Sequence, residues 1–131
     1  FEQEDELLDI EVGNIILATG YDLFDVSRIP QYGYGRLANV FTSLEFERMV
    51  SLAGSSGGRL GRPSGPGGET PRKVAFVQCV GSRDNLCGAG YCSSACCMYT
   101  AKHVLLMKHK HHGVNATVFF MDVRAGGKGY E

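Results

Sequence analysis

All five cysteines in this chain fall within nineteen residues, and the spacing of four of them restricts the possible folds more than any other feature. Cys79 is followed by twelve residues and then Cys92. Three more residues lead to the adjacent pair Cys96 and Cys97. Four thiolates gathered this way are the donor set of an iron–sulfur cluster, and they exceed what a small reduced fold carries by chance. Three plainer assignments compete. The cysteines could be buried small hydrophobes, although four so close together argue against it. They could hold structural zinc, but the adjacent Cys96–Cys97 pair does not match the paired C-x₂-C knuckles of zinc sites. They could form a redox dithiol, yet no C-x-x-C is present. Cys87, in a glycine-rich loop, reads as a bystander that could substitute for a ligand.

A chain of 131 residues is one domain or pieces of two. Its net charge of −1 gives no electrostatic case for nucleic acid, and no apolar run is long enough to span a membrane. The chain opens at Phe1 with an acidic stretch over residues 2–6 and none of the pattern of a signal peptide. That start reads as a cut inside a longer protein. An odd cysteine count without secretory context argues against a disulfide framework and for a reducing, cytoplasmic setting. The 18 glycines cluster at 54–68, 81–90 and 126–129 and mark loops.

Along the chain, residues 7–20 read as a strand region. The unalternated apolar run Asn14-Ile15-Ile16-Leu17-Ala18 suits a strand buried on both faces. Residues 21–40 are loop-like. Thr42 and Glu45 then form a candidate capping box for a helix near 43–53, with Leu44, Phe46, Met49 and Val50 on its apolar face. Residues 54–72, rich in Gly, Ser, Pro and Arg, read as a flexible linker and the best internal boundary. Residues 73–80 are a buried-strand candidate ending at the first cysteine. From Cys92 to about His112 the period turns helical, with Cys97, Ala101, Val104, Leu105 and Met107 recurring and Gly113 at the C′ position. Residues 116–121 form a further strand, ending at Asp122. Strand, loop, helix and strand in this order predict a βαβ unit with parallel strands.

In a nucleotide-binding βαβ unit the loop after the first strand cradles phosphate on glycines and a helix N-terminus. No G-x-G-x-x-G follows Cys79, and the helix starts with cysteines instead. The same helix end suits an anionic thiolate cluster, and N–H groups of the 81–90 loop could hydrogen-bond its sulfurs. The weaker motif Leu17-Ala18-Thr19-Gly20 reads as a strand ending in a turn. The stretch Lys108-His109-Lys110-His111-His112 reads as a solvated helix end rather than a metal site, and His103 as a residue on the helix flank. Asp122 and Arg124 lie at a strand C-terminus, where α/β sites gather, although Arg124 also reads as a plain surface charge.

The chain resembles the central part of the A-subunit of heterodisulfide reductase, the component that bears flavin and iron–sulfur clusters. The resemblance runs nearly end to end. It is carried by residues 14–22, by Thr42-Ser43-Leu44-Glu45-Phe46-Glu47-Arg48, by Val77-Gln78-Cys79-Val80-Gly81-Ser82-Arg83-Asp84, by residues 91–99 and by residues 121–131. It implies an α/β fold: a partial Rossmann-like βαβ unit preceded by the end of a thioredoxin-reductase-like FAD domain. Residues 1–53 would close the first FAD segment, 54–72 would link, and 73–131 would begin the second domain. Ala18, Thr19 and Gly20 would touch FAD, and Cys79, Cys92, Cys96 and Cys97 would hold a [4Fe–4S] cluster. The family's main FAD fingerprint and its ferredoxin-like cluster motifs are not in this sequence, so the isolated chain is expected to bind FAD poorly and to be inactive alone. Implied partners are other heterodisulfide reductase-like subunits, together with an electron-donating hydrogenase or dehydrogenase. The competing function classes are a structural zinc module and an NADPH-binding reductase domain.

Overall fold

The capping box forms as the sequence predicts. Thr42 Oγ1 accepts from the Glu45 N–H at 3.3 Å, and Glu45 Oε2 accepts from the Thr42 N–H at 2.7 Å. Those bonds satisfy two of the donors that a helix start leaves free, and they open helix α1, Ser43–Val50. The computed structural model describes residues 4–54, 56–62 and 68–129. Two short 3-10 turns, Val26–Arg28 and Pro30–Tyr32, precede α1. Strand β1 (Lys73–Val77), helix α2 (Cys96–Lys110) and strand β2 (Asn115–Phe119) follow it. Tyr130 and Glu131, the end of the last quoted motif, lie outside the described residues, as do 1–3, 55 and 63–67.

The two strands pair in parallel, from Lys73 opposite Asn115 to Val77 opposite Phe119, with α2 as the crossover. The expected βαβ order is therefore present, in a small α/β fold. One sheet face, Val74, Phe76 and Ala116, packs against a core of Phe46, Val50, Leu60, Met107 and Val114. The Phe46 and Phe76 rings meet edge to face at 5.3 Å, the favoured aromatic geometry. The other face, with Ala75, Val77, Thr117 and Phe119, is exposed.

Several local expectations change. Residues 7–20 form no strand, and Ile15, Ile16 and Leu17 stand 80%, 89% and 84% exposed. An unalternated strand needs neighbours on its edges and layers on both faces. The two-stranded sheet in this chain offers neither. Within 54–72, Leu60 is buried in the core and its N–H reaches Nε2 of His111 at 3.3 Å.

Helix α2 begins at Cys96, four residues later than expected, and its buried stripe is Cys96, Thr100, His103 and Met107. The apolar period alone sets that face one residue further round, with Leu105 inside, whereas Leu105 is exposed. His103 filling the stripe is what misleads the period. Its ring is buried, and Nε2 lies 2.8 Å from Glu47 Oε2, so a polar residue occupies a core position with its partner supplied. The helix stops at His111, whose N–H bonds to Met107 O at 2.8 Å, and Gly113 does not take the left-handed conformation.

Candidate metal centre

Strand β1 delivers the first cysteine. The Gln78 N–H still bonds to Phe119 O at 2.9 Å, and then Cys79 turns out of the ladder with φ of 59°. A non-glycine residue in the left-handed region costs energy that surrounding contacts must offset, and such residues gather at functional sites. Arg83 and Ser94 take the same conformation, with φ of 58° and 59°. Among the described residues, all three left-handed non-glycine positions lie in the segment that carries the cysteines.

The loop after Cys79 folds back on itself. The Ala89 N–H bonds to Gly81 O at 3.0 Å, the Asp84 N–H to Ala89 O at 3.1 Å, and the Arg83 N–H to Tyr91 O at 3.0 Å. Gly81 is required here, since it has φ of 78° and a Cβ on it would run into the Phe24 ring. Three N–H groups of this loop are thus bonded to carbonyls, and the Leu86 N–H goes to Asp84 Oδ1 at 2.8 Å.

Cys92 lies ahead of α2 rather than on its first turn. Its Sγ accepts from the Ser94 N–H at 3.4 Å. Cys96 is the first residue of α2 and is buried. Burial pushes its thiol up, but hydrogen bonds from the Ser93 side chain, the Cys79 backbone and Cys97 outweigh that and leave it below the ordinary thiol value. Cys97 Sγ accepts from the Arg124 N–H, 3.4 Å away, so the segment after β2 closes over the helix start. Burial raises the Cys79 thiol, nearby Cys96 raises it further, and a hydrogen bond and charge from Arg83 pull against both.

Cys79 therefore lies within electrostatic reach of both Cys92 and Cys96, with Cys97 against Cys96. Among the described residues, however, no three His, Cys, Asp or Glu side chains are grouped so as to hold a metal ion as they stand. The donor chemistry fits a thiolate-bound cluster: four thiols at one strand end and one helix start, with backbone N–H groups donating to two sulfurs. Cys87 is engaged elsewhere, its Sγ 2.8 Å from Asp84 Oδ2.

Two further residues, both inside the quoted motifs although not singled out there, lie near these cysteines. The Arg83 guanidinium bonds to Asp122 and also reaches the Cys79 thiol. Tyr99 is held above the ordinary phenol value by burial and by the nearby Cys96, Tyr21 and Cys97. Asp122 Oδ2 also accepts from Arg124 Nε at 3.3 Å, so Arg124 is no isolated surface charge. Ala18, Thr19 and Gly20 lie in an exposed segment without regular structure, directly before Tyr21. A cavity of about 140 Å³ opens beside the sulfurs, between Cys92, Ser94 and residues 124–126.

No family model matches the sequence. Comparison with curated proteins is decisive instead. The chain is 50% identical over 130 residues to the A-subunit of the H(2):CoB-CoM heterodisulfide,ferredoxin reductase of Methanothermobacter thermautotrophicus, covering 99% of this chain and 19% of that protein. By sequence, the chain belongs with the heterodisulfide reductase A-subunits. It is 47% identical over 131 residues to an iron-sulfur A-subunit of the CoB--CoM heterodisulfide reductase of Methanopyrus kandleri, covering 100% of this chain and 20% of the relative. It is 49% identical over 133 residues to the A-subunit of the H(2)/formate:CoB-CoM heterodisulfide,ferredoxin reductase of Methanococcus maripaludis, with the same coverage of 100% and 20%. The chain thus spans about one-fifth of the length of the A-subunit relatives it matches. No helix of the described residues is long and apolar enough to cross a membrane.

Proposed function

We propose that this chain is the electron-transfer junction of a flavin- and iron–sulfur-dependent A-subunit, in which Cys79, Cys92, Cys96 and Cys97 hold a [4Fe–4S] cluster. Residues 73–131 begin a Rossmann-like domain, residues 54–72 link, and residues 1–53 close a thioredoxin-reductase-like FAD domain. Ala18, Thr19 and Gly20 contact the flavin. The assembled protein passes electrons toward reduction of a heterodisulfide. It works with other subunits of its complex and with a hydrogenase or formate-oxidising donor, in the cytoplasm. The relatives' names support the substrate, the iron–sulfur character and the donors.

The observation that carries the reading is the placement of sulfur at the turn between β1 and α2, where a nucleotide-binding unit would hold phosphate. The exposed second sheet face supports a Rossmann-like domain, whose sheet is covered on both sides. The flavin motif runs into Tyr21, which is within electrostatic reach of Tyr99 beside Cys96 and Cys97. That proximity supports a reading in which flavin and cluster sit on neighbouring segments.

A thiolate-bound cluster supplies one-electron transfer. The chain's own groups do the rest. The four thiols ligate, and the start of α2 favours their negative charge. The Ser94 and Arg124 N–H groups donate to the sulfurs of Cys92 and Cys97 and draw charge from them. Anaerobic reconstitution with iron and sulfide, followed by electron paramagnetic resonance, tests the reading. Wild type should take up iron and sulfide and show a signal on reduction, which Cys97→Ser should lose. A colourless protein binding stoichiometric zinc in preference to iron would replace this reading with a structural zinc site.

A further inference from the structure

The basic run at the end of α2 is solvated only in part. Lys110 and His111 are half-buried, and each makes a contact across the fold. Lys110 Nζ donates to Val50 O at 2.5 Å, and a Cβ on Gly58 would meet that nitrogen at 2.9 Å. Ser56 Oγ donates to Met49 O at 2.5 Å. The last carbonyls of α1 are thus served by the glycine-rich stretch and by α2. His111 fastens the stretch itself, since its Nε2 accepts from the N–H of Leu60 at 3.3 Å. Only a bare ring nitrogen can accept, so the His111 proton sits on Nδ1. Two histidines of α2 therefore differ in kind. His103 Nε2 faces the Glu47 carboxylate, an acceptor that suits a charged ring as well as a neutral N–H. His111 Nε2 faces a donor, which suits the neutral ring alone.

We infer that His111 is a pH-sensitive latch: neutral, it fastens the glycine-rich stretch to the end of α2, and protonated, it lets the Leu60 amide go. A proton on Nε2 turns the acceptor into a second donor, and two donors cannot share one bond. The charged ring has an alternative on its own helix. His111 is the residue that ends α2, where the last carbonyls and the helix dipole favour a cation. The charged and titratable groups of the segments packed here are nearly all basic. They are Lys108, His109, Lys110 and His112 beside it, Arg48 on α1, Arg59 and Arg62 on the stretch, and Arg72 and Lys73 at the start of β1. Glu69 is the only acid in residues 48–83, and it pairs with Arg62 at 3.0 Å. Among the described residues, no carboxylate pairs with His111 as Glu47 does with His103. Histidine ordinarily titrates between about pH 5 and 8, so the bond is whole on the alkaline side of that range and lost toward its acid side. The parallel ladder and the Glu47–His103 contact use other groups, so release is local.

The test is amide hydrogen exchange of the chain by NMR at about pH 8 and about pH 5, as protection factors corrected for intrinsic rates, with imidazole nitrogen shifts read in parallel. The lower pH stays above 4.5, so Glu47 remains largely ionised. At the higher pH the shifts should place the His111 proton on Nδ1. Protection of the Leu60 amide should fall roughly two- to twelvefold on acidification, the worth of one ordinary hydrogen bond. The amide of His103, in the middle of α2, should keep its protection. His111→Gln does not titrate, so its Leu60 amide should show no such fall. If that variant does not fold, the wild-type shifts and exchange decide alone. Unchanged Leu60 protection in wild type overturns the inference. So does a His111 Nε2 already protonated at the higher pH, an equal fall at His103, or the same fall persisting in His111→Gln.

Discussion

His103 on α2 and Glu47 on α1 meet at 2.8 Å, Nε2 to Oε2, and Lys102 Nζ donates to the other oxygen of the same carboxylate at 2.6 Å. One side chain thereby fastens the two helices that enclose the core. His103 is 1% exposed, so in the folded protein its Nε2 relies on Glu47 rather than on bulk water.

Glu47→Ala should therefore cost about 1–3 kcal/mol, the penalty for leaving a buried polar group unpaired. The Glu47 carboxyl is held below its ordinary value of 4.5 by its hydrogen bonds to Lys102 and then His103. A carboxyl with a folded pKa below the unfolded one binds fewer protons in the native state. Its contribution is complete above 4.5 and is lost as pH falls through the folded value. Urea unfolding at neutral pH and at pH values below 4.5 should show wild type losing stability on acidification, with a smaller loss in Glu47→Ala.

Leu60 gives the glycine-rich stretch a structural duty. It is 4% exposed in the core, and its N–H is held by His111. Leu60→Ala should destabilise by about 2–5 kcal/mol, the range for large-to-small core changes. Chemical denaturation measures this. A loss below about 0.5 kcal/mol, typical of surface positions, would mean that the stretch is only a tether.

Gly81→Ala meets two separate obstacles, the positive φ and the Phe24 ring that already fills the space of a Cβ. The backbone part is of order 1 kcal/mol, and overpacking typically adds about 1–3 kcal/mol. The steric part should vanish when Phe24 is also cut back to Ala. A double-mutant cycle by thermal unfolding should thus show strong coupling between positions 24 and 81, and additive losses would refute the contact.

Cys87 donates to Asp84, and that hydrogen bond is the first cause holding its thiol above the ordinary value of 9.0. Asp84→Asn should lower the thiol toward its usual range, raise the thiolate fraction at about pH 8 and speed alkylation of Cys87. Rates read by mass spectrometry on the peptide containing Cys87 check this. Cys87→Ser should leave iron uptake at the wild-type level.

Much of the fold was legible because its signals are local. The capping box at Thr42 and Glu45 needs only a three-residue spacing, and both flanking strands of the βαβ unit show in their apolar runs. The buried face of α2 was misjudged because His103 looks polar until Glu47, 56 residues earlier, is placed against it. The four cysteines could be singled out from spacing. Arg83 and Asp122 could not be paired in advance, since no period links residues 39 apart and only the parallel crossover brings them together. The strand expected in 7–20 failed for the opposite reason: its pattern is right for a buried strand, but the sheet here has no place for it.

The bond from the Arg124 backbone to the Cys97 sulfur has a consequence for biosynthesis. The backbone group that bonds to Cys97 is made after β2, 27 residues downstream of the thiol it serves. A nascent chain leaving the ribosome exposes all its cysteines before it can close over them. The thiols are therefore open to oxidation or alkylation until the crossover has docked and the segment after β2 closes over Cys97.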